Sequence, residues 1–203
     1  MSKTHDISHR DYTGAKLGMW LFLFTEFFLF FGPVLLYAVF RFRYPHAFID
    51  ASLKLDAGVG ALNTVILLTS SLCMALAITA MQRGRKGLTL FLLALTVSLG
   101  AFFLVNKYFE WGAKFAHGLY PGGEALVGNA DGTAIFYGLY FFTTGLHGLH
   151  VLAGMVIITG AALMVNSGRI SSTDFVKLEN TGLYWHLVDV VWIFLFPVFY
   201  LVR

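Results

Sequence analysis

Seven ionisable side chains stand inside stretches of the chain where charge is otherwise almost absent: Glu26, Lys107, Glu110, His147, His150, His186 and Asp189. Their types are those of proton carriers, metal ligands and buried ion pairs, and their spacing narrows the choice. His147 and His150 fall at i, i+3 in Thr143-Thr144-Gly145-Leu146-His147-Gly148-Leu149-His150-Val151, which places both imidazoles on one face of a helix. Lys107 and Glu110 repeat that step, as do His186 and Asp189. A polar group surrounded by hydrocarbon needs a partner or a purpose.

Each group has a chemical reading and a structural one. Glu26 is either a proton-carrying or head-group-binding carboxyl, or an acid that joins two helices by a hydrogen bond. A haem inside a helical bundle takes one axial histidine from each of two facing helices. His147 and His150 point the same way, so they do not bracket one. With His186 and Glu26 they would form a set of nitrogen and oxygen ligands. The Glu-x-x-His pairs of bundle di-iron sites are missing, however, and the expectation is that this chain holds no metal. Glu26, His147 and His150 are therefore expected to form a lipid-binding or buried polar cluster. His186 and Asp189 are expected to be a structural buried pair. Lys107 and Glu110, beside Tyr108 and Trp111, read as an interfacial anchor. No nucleophile with its base is visible, and no catalytic residue is expected.

The elements that must position these groups follow from composition. Of 203 residues, 58% are hydrophobic and 12% charged, with mean hydropathy +0.73; soluble domains carry about 25% charged residues. The net charge of +3 is dispersed and forms no basic run, so a nucleic-acid partner is not expected. The single cysteine, Cys73, cannot form an internal disulfide. After a polar segment at 1–16 with Lys3, His5, His9 and Arg10, five apolar runs at roughly 17–40, 57–81, 88–112, 132–165 and 175–202 are each long enough to cross a bilayer. Continuous runs of this kind read as helices, since barrel strands would come as alternating pieces of about ten residues. The predicted fold is all-α, a polytopic membrane bundle of five transmembrane helices in one domain, 17–203. Pro33 and Pro197 are expected to free carbonyls and bend their helices. Gly145/Gly148 and Gly154/Ala161 offer shallow faces for helix contact.

Lysines and arginines in alternating connections set the orientation. Eight lie on the amino-terminal side (Lys3, Arg10, Lys16, Arg83, Arg85, Lys86, Arg169, Lys177), against six on the other (Arg41, Arg43, Lys54, Lys107, Lys114, Arg203). The dense Arg83-Gly84-Arg85-Lys86 loop leads us to expect a cytoplasmic amino terminus and a carboxyl terminus outside.

Several of these stretches together resemble subunit III of the haem–copper oxidases. Trp20-Leu-Phe-Leu-Phe-Thr25-Glu26-Phe-Phe-Leu-Phe-Phe31-Gly32 is similar to the family's Ser-Glu-x-x-x-Phe helix, and Leu62-Asn63-Thr64 through Ser70-Ser71 to its next helix. Lys107-x-x-Glu110-Trp111 resembles the Gln/Lys-x-x-Glu-Tyr element, Thr144-Gly-Leu-His147-Gly-Leu-His150-Val the Thr-Gly-Phe-His-Gly-x-His-Val element. Tyr184-Trp-His186-Leu-Val-Asp189-Val-Val-Trp192 is similar to Trp-Tyr-Trp-His-Phe-Val-Asp-Val-Val-Trp. The order is kept over essentially the whole chain. The chain resembles the last five of the family's seven helices, as in short bacterial forms, and after Gly32 it lacks the family's tryptophan and histidine.

The resemblance implies an accessory subunit without redox centres in the terminal oxidase of a bacterial inner membrane. Haem and copper would sit in partner subunits I and II, which also meet the electron donor, cytochrome c or quinol; the Lys107-x-x-Glu110 pattern and the aromatic first helix favour cytochrome c. The subunit would stabilise subunit I and support proton uptake with bound phospholipid, near Glu26, His147 and His150. A quinol oxidase, a nitric oxide reductase accessory subunit and an independent proton-coupled transporter are the alternatives. The last is disfavoured because no internal repeat is visible.

Overall fold

The computed structural model describes residues 12–123, Leu126 and 132–202. His5, His9 and the rest of residues 1–11 lie outside the described residues. Among the described residues the chain is helical: α1 Tyr12–Arg43, α2 Pro45–Leu53, α3 Ala57–Gln82, α4 Lys86–Ala116, α5 Thr133–Asn166 and α6 Val176–Phe196, with α6 closing in a π-helical turn, Pro197–Leu201. Five of these segments are long and apolar enough to span a membrane, which agrees with the all-α, five-span reading.

Two features differ from that reading. The first span begins earlier and ends later than 17–40, so Lys16 and Arg41 are helical, extending α1 past the hydrocarbon at both ends. A short helix, α2, occupies the connection that follows. Pro45 opens it at a position where its missing N–H is no loss, and Phe48 and Ala51 pack into the core. A connection of this length gives too little periodicity to read from sequence.

Local chemistry explains the boundaries. Asp56 caps α3 by accepting the backbone N–H groups of Gly58 (2.8 Å) and Val59 (3.1 Å). Gly84, at φ +69°, makes the tight turn between α3 and α4. Pro33 lies within α1, which continues helical to Arg43. Pro197 instead shifts the ladder, with the N–H of Val202 donating to the carbonyl of Pro197 at 3.0 Å. That turn buries Phe199 and Tyr200.

Helices α3 and α4 form an antiparallel hairpin against α5 and α6, with α1 laid along α5 and α6. Trp185 of α6 sits at the centre of the core. A methyl group on Gly100 would come within 2.8 Å of its ring and one on Gly154 within 2.7 Å. Its Nε1–H donates to the hydroxyl of Ser70 at 2.7 Å. Gly145 in turn receives the edge of Trp111. The small-residue stripes of α4 and α5 thus accept indole rings. Helix α1 is the least buried span: 17% of its most apolar stretch is inside the bundle, against 50% for the last span. Its outer face exposes Trp20, Phe24, Phe28, Leu35 and Val39.

Candidate functional site: the polar interior and the lateral groove

Four polar residues of α3 are matched one by one to residues of α4 and α6. Asn106 donates to Asn63 (2.9 Å), Trp192 to Thr64 (3.1 Å) and Trp185 to Ser70, while Ser71 meets Nδ1 of His186 at 2.6 Å. Such bonds resist separation in lipid because no water replaces a lost partner.

Glu26 on α1 and His150 on α5 come together, with Nε2 of His150 2.8 Å from Oε2 of Glu26 and both side chains mostly buried. Nδ1 of His150 lies 2.8 Å from the carbonyl of Leu146. A carbonyl only accepts, so Nδ1 carries a proton. The contact at Nε2 then contains one shared proton. It is either imidazolium against carboxylate, or a carboxylic acid donating to neutral imidazole. Both arrangements are net neutral, which is what a pair in hydrocarbon requires. Phe30 stacks edge-on against the His150 ring at 5.0 Å.

His147, three residues earlier, does not join this pair by a hydrogen bond. It is fully buried between the rings of Phe30, Phe103 and Trp192, and neither ring nitrogen has a partner. The same helix face therefore delivers one histidine to α1 and the other to the aromatic core.

Lys107 and Glu110 meet at 3.0 Å, but they are not an exposed interfacial anchor: both are buried. Nζ of Lys107 also donates to Tyr200 (2.9 Å) and Tyr140 (3.2 Å), and lies 5.1 Å from the centres of the Tyr140 and Trp192 rings. Both tyrosine hydroxyls donate to Oε1 of Glu110. The aromatic cage and the double phenol contact hold both charges away from lipid. Sequence reading missed Tyr140 and Tyr200. A tyrosine near one end of each of two apolar spans was the available signal, and the i, i+3 pair alone looked sufficient. Tyr108, the residue read with this group, points outward.

His186 and Asp189 are also not paired with each other. His186 turns to Ser71, and neither carboxyl oxygen of the buried Asp189 has a hydrogen-bond partner, with Ser71 lying beside it. The i, i+3 step puts them on neighbouring parts of one face, but α3 packs against that face and Ser71 takes the contact. The histidines thus have three separate settings. Among the described residues no three His, Cys, Asp or Glu side chains gather as a metal ligand set.

A groove runs along the outside of the bundle between α1 and α6. The half toward the carboxyl-terminal end of α1, the outer half in the expected orientation, is lined by Phe27, Phe30, Phe31, Val34, Leu195 and Val198. The half toward the amino-terminal end of α1 is lined by Trp20, Leu23, Phe24, Phe27, Leu187 and His186.

Comparison with known proteins agrees with this geometry. The family profile of cytochrome c oxidase subunit III matches residues 3–202. A probable quinol oxidase subunit 3 of Staphylococcus saprophyticus is 30% identical, the match covering 98% of this chain and 96% of that one. A cytochrome c oxidase subunit 3 of Yarrowia lipolytica is also 30% identical, over 92% of this chain and 67% of that one. A heme-copper oxidase subunit I+III of Aeropyrum pernix is 30% identical over 97% of this chain, which spans about a quarter (24%) of that longer protein. With the family profile covering all five spans and the polar elements meeting in three dimensions, the chain belongs to the cytochrome c oxidase subunit III family of the haem–copper oxidases.

Proposed function

We propose that the chain is a non-redox accessory subunit that braces the catalytic subunit I of a bacterial terminal oxidase, with subunit II as the further partner. The observation that carries this reading is the Aeropyrum relative, in which the same stretch is part of one chain named for subunits I and III. Haem and copper belong to the partner subunits in this reading, and this chain supplies packing and a lipid surface. Helix α1 is built for that role, since it crosses the bilayer with its outer aromatic face uncovered. The Glu26–His150 pair locks it to α5, and Arg41 locks its outer end by donating to the carbonyl of Val202 at 2.7 Å.

A phospholipid fits the outer half of the lateral groove, its acyl chains on Phe27, Phe31 and Val34 and its phosphate at the level of Arg41 and Arg43. Glu26 lies about 15 Å below Lys16 along α1 at 1.5 Å per residue, too deep for a head group. Glu26 and His150 therefore hold each other beneath the lipid rather than the lipid itself. A braced subunit I keeps its proton-uptake path intact through many turnovers. The Lys107-x-x-Glu110 pattern and the aromatic first helix favour cytochrome c as the donor, and a quinol oxidase is the second reading, because a relative of that name is equally identical at 30% and is matched over more of its own length.

Removing this chain from the purified oxidase tests the reading. The stripped complex is expected to keep its initial oxygen-consumption rate yet lose activity severalfold faster during turnover, and to lose bound phospholipid phosphate. An unchanged turnover lifetime and lipid content would count against both bracing and lipid binding.

A further inference from the structure

We propose that a recess between α3 and α4 binds the head group of an aminophospholipid, a lipid of the phosphatidylethanolamine class whose head carries both a phosphate and a primary ammonium. The recess, of about 310 Å³, lies where α3 begins and α4 ends, and is lined by Asp56, Val59, Asn106, Phe109, Glu110 and Lys114. It is separate from the lateral groove along α1 and stands whether or not that groove holds lipid.

The hydrogen-bonding capacity of the lining residues locates the open charge. Glu110 is already engaged by Lys107 and by the hydroxyls of Tyr140 and Tyr200. Asn106 spends its amide N–H on Asn63. At the rim, Asp56 caps α3 with Oδ1 alone, and among the described residues its Oδ2 has no hydrogen-bond partner. Lys114 donates to the carbonyl of Lys54, which leaves two of its three ammonium hydrogens open. Asp56 and Lys114 line one recess yet form no ion pair with each other. The other cation at this rim, Lys54, is exposed.

Two unpaired opposite charges across one recess fit a ligand that carries both. The ammonium of an ethanolamine head donates to Oδ2 of Asp56, and the phosphate accepts from Nζ of Lys114. A phosphatidylglycerol head brings no cation to Asp56. The quaternary nitrogen of phosphatidylcholine has no hydrogen to donate. Depth agrees with a head group, since Asp56 immediately precedes the α3 span and Lys114 lies in the last turn of the α4 span. Below them Phe109, Val105 and Phe102 are exposed. They descend about 10 Å along α4, a track for an acyl chain.

The test is photolabelling of the membrane complex that contains this chain, reconstituted in phosphatidylcholine vesicles. The probe is a phosphatidylethanolamine with a diazirine on its acyl chain, and labelled peptides are mapped by mass. Label is expected on the peptides around Val59–Leu62 and Phe102–Phe109, falling at least about fivefold with excess unlabelled phosphatidylethanolamine and little with phosphatidylglycerol. Asp56→Asn keeps a side chain that caps α3 but removes the charge, and is expected to lower this label about fivefold. Lys177→Met, at the other end of the bundle, is expected to leave it intact. Absence of label on these peptides in the unmodified protein would overturn the proposal. So would displacement by phosphatidylglycerol as effective as by phosphatidylethanolamine, which would mark an unselective lipid surface. Label fully retained in Asp56→Asn would overturn the role of the carboxylate. Competition on the unmodified protein decides the matter even where the variant fails to assemble.

Discussion

At the scale of single residues, the interior is organised as small neutral polar units. Glu26 and His150 share one proton across α1 and α5, and removing either leaves the other buried alone. Glu26→Ala or His150→Ala is expected to destabilise the subunit by about 1–3 kcal/mol, the penalty of an orphaned buried polar group. The double variant should cost less than the sum of the two, which thermal unfolding of the purified complex measures as a coupling energy. Lys107 and Glu110 make the same argument more forcefully, because the pair is closed in by two tyrosines and a tryptophan. Lys107→Met alone strands the Glu110 carboxylate, whereas Lys107→Met combined with Glu110→Gln should recover much of the lost stability. Equal stability of the single and double variants would show that the charges do not depend on each other.

The identity of these residues was legible in the sequence, but their pairing only in part: Lys107 does meet Glu110 and Glu26 does meet His150, whereas the other partners were not foreseen. Types and i, i+3 spacing marked all seven ionisable groups, since charge inside an apolar run is conspicuous. Partners come from other helices, and a single helical face cannot say which neighbour reaches it first. Ser71 takes His186 from Asp189 in this way, and Tyr140 and Tyr200 turn an apparent surface anchor into a buried cage.

At the scale of elements, the five spans were predictable because hydrocarbon thickness sets a length that composition reveals directly. The short α2 was not, since nine residues carry little periodicity and its helix rests on packing of Phe48 and Ala51. Contacts between helices depend on glycines that admit indole rings. Gly154→Val is expected to force α5 away from Trp185 and reduce the yield of assembled subunit severalfold, measured by gel filtration of the solubilised complex. Gly160, whose position has open space around it, should tolerate the same change. Trp185→Phe keeps most of the packing and loses the bond to Ser70, at about 1 kcal/mol. At Pro197 the π-helical turn sets the register of Phe199 and Tyr200. Pro197→Ala restores a backbone donor and allows an ordinary helical turn, which is expected to withdraw the Tyr200 hydroxyl from Glu110. A lowered melting temperature matching that of Tyr200→Phe would support the link.

At the scale of the whole molecule, the bundle is asymmetric. Apart from Glu26, its polar groups are spent inside, between α3, α4, α5 and α6, while α1 carries an uncovered aromatic face and a groove along its edge. Membership of the haem–copper oxidase subunit III family explains why such a face is tolerated, since the family works inside a larger membrane complex. The most direct measurement is to purify a tagged form in mild detergent, record the reduced-minus-oxidised optical spectrum, and identify the co-purifying chains by mass. Haem signals that travel with large catalytic subunits, and disappear when this chain is isolated alone, are the predicted result. Haem or metal retained by the isolated chain would contradict the account and reassign His147, His150 and His186 as ligands.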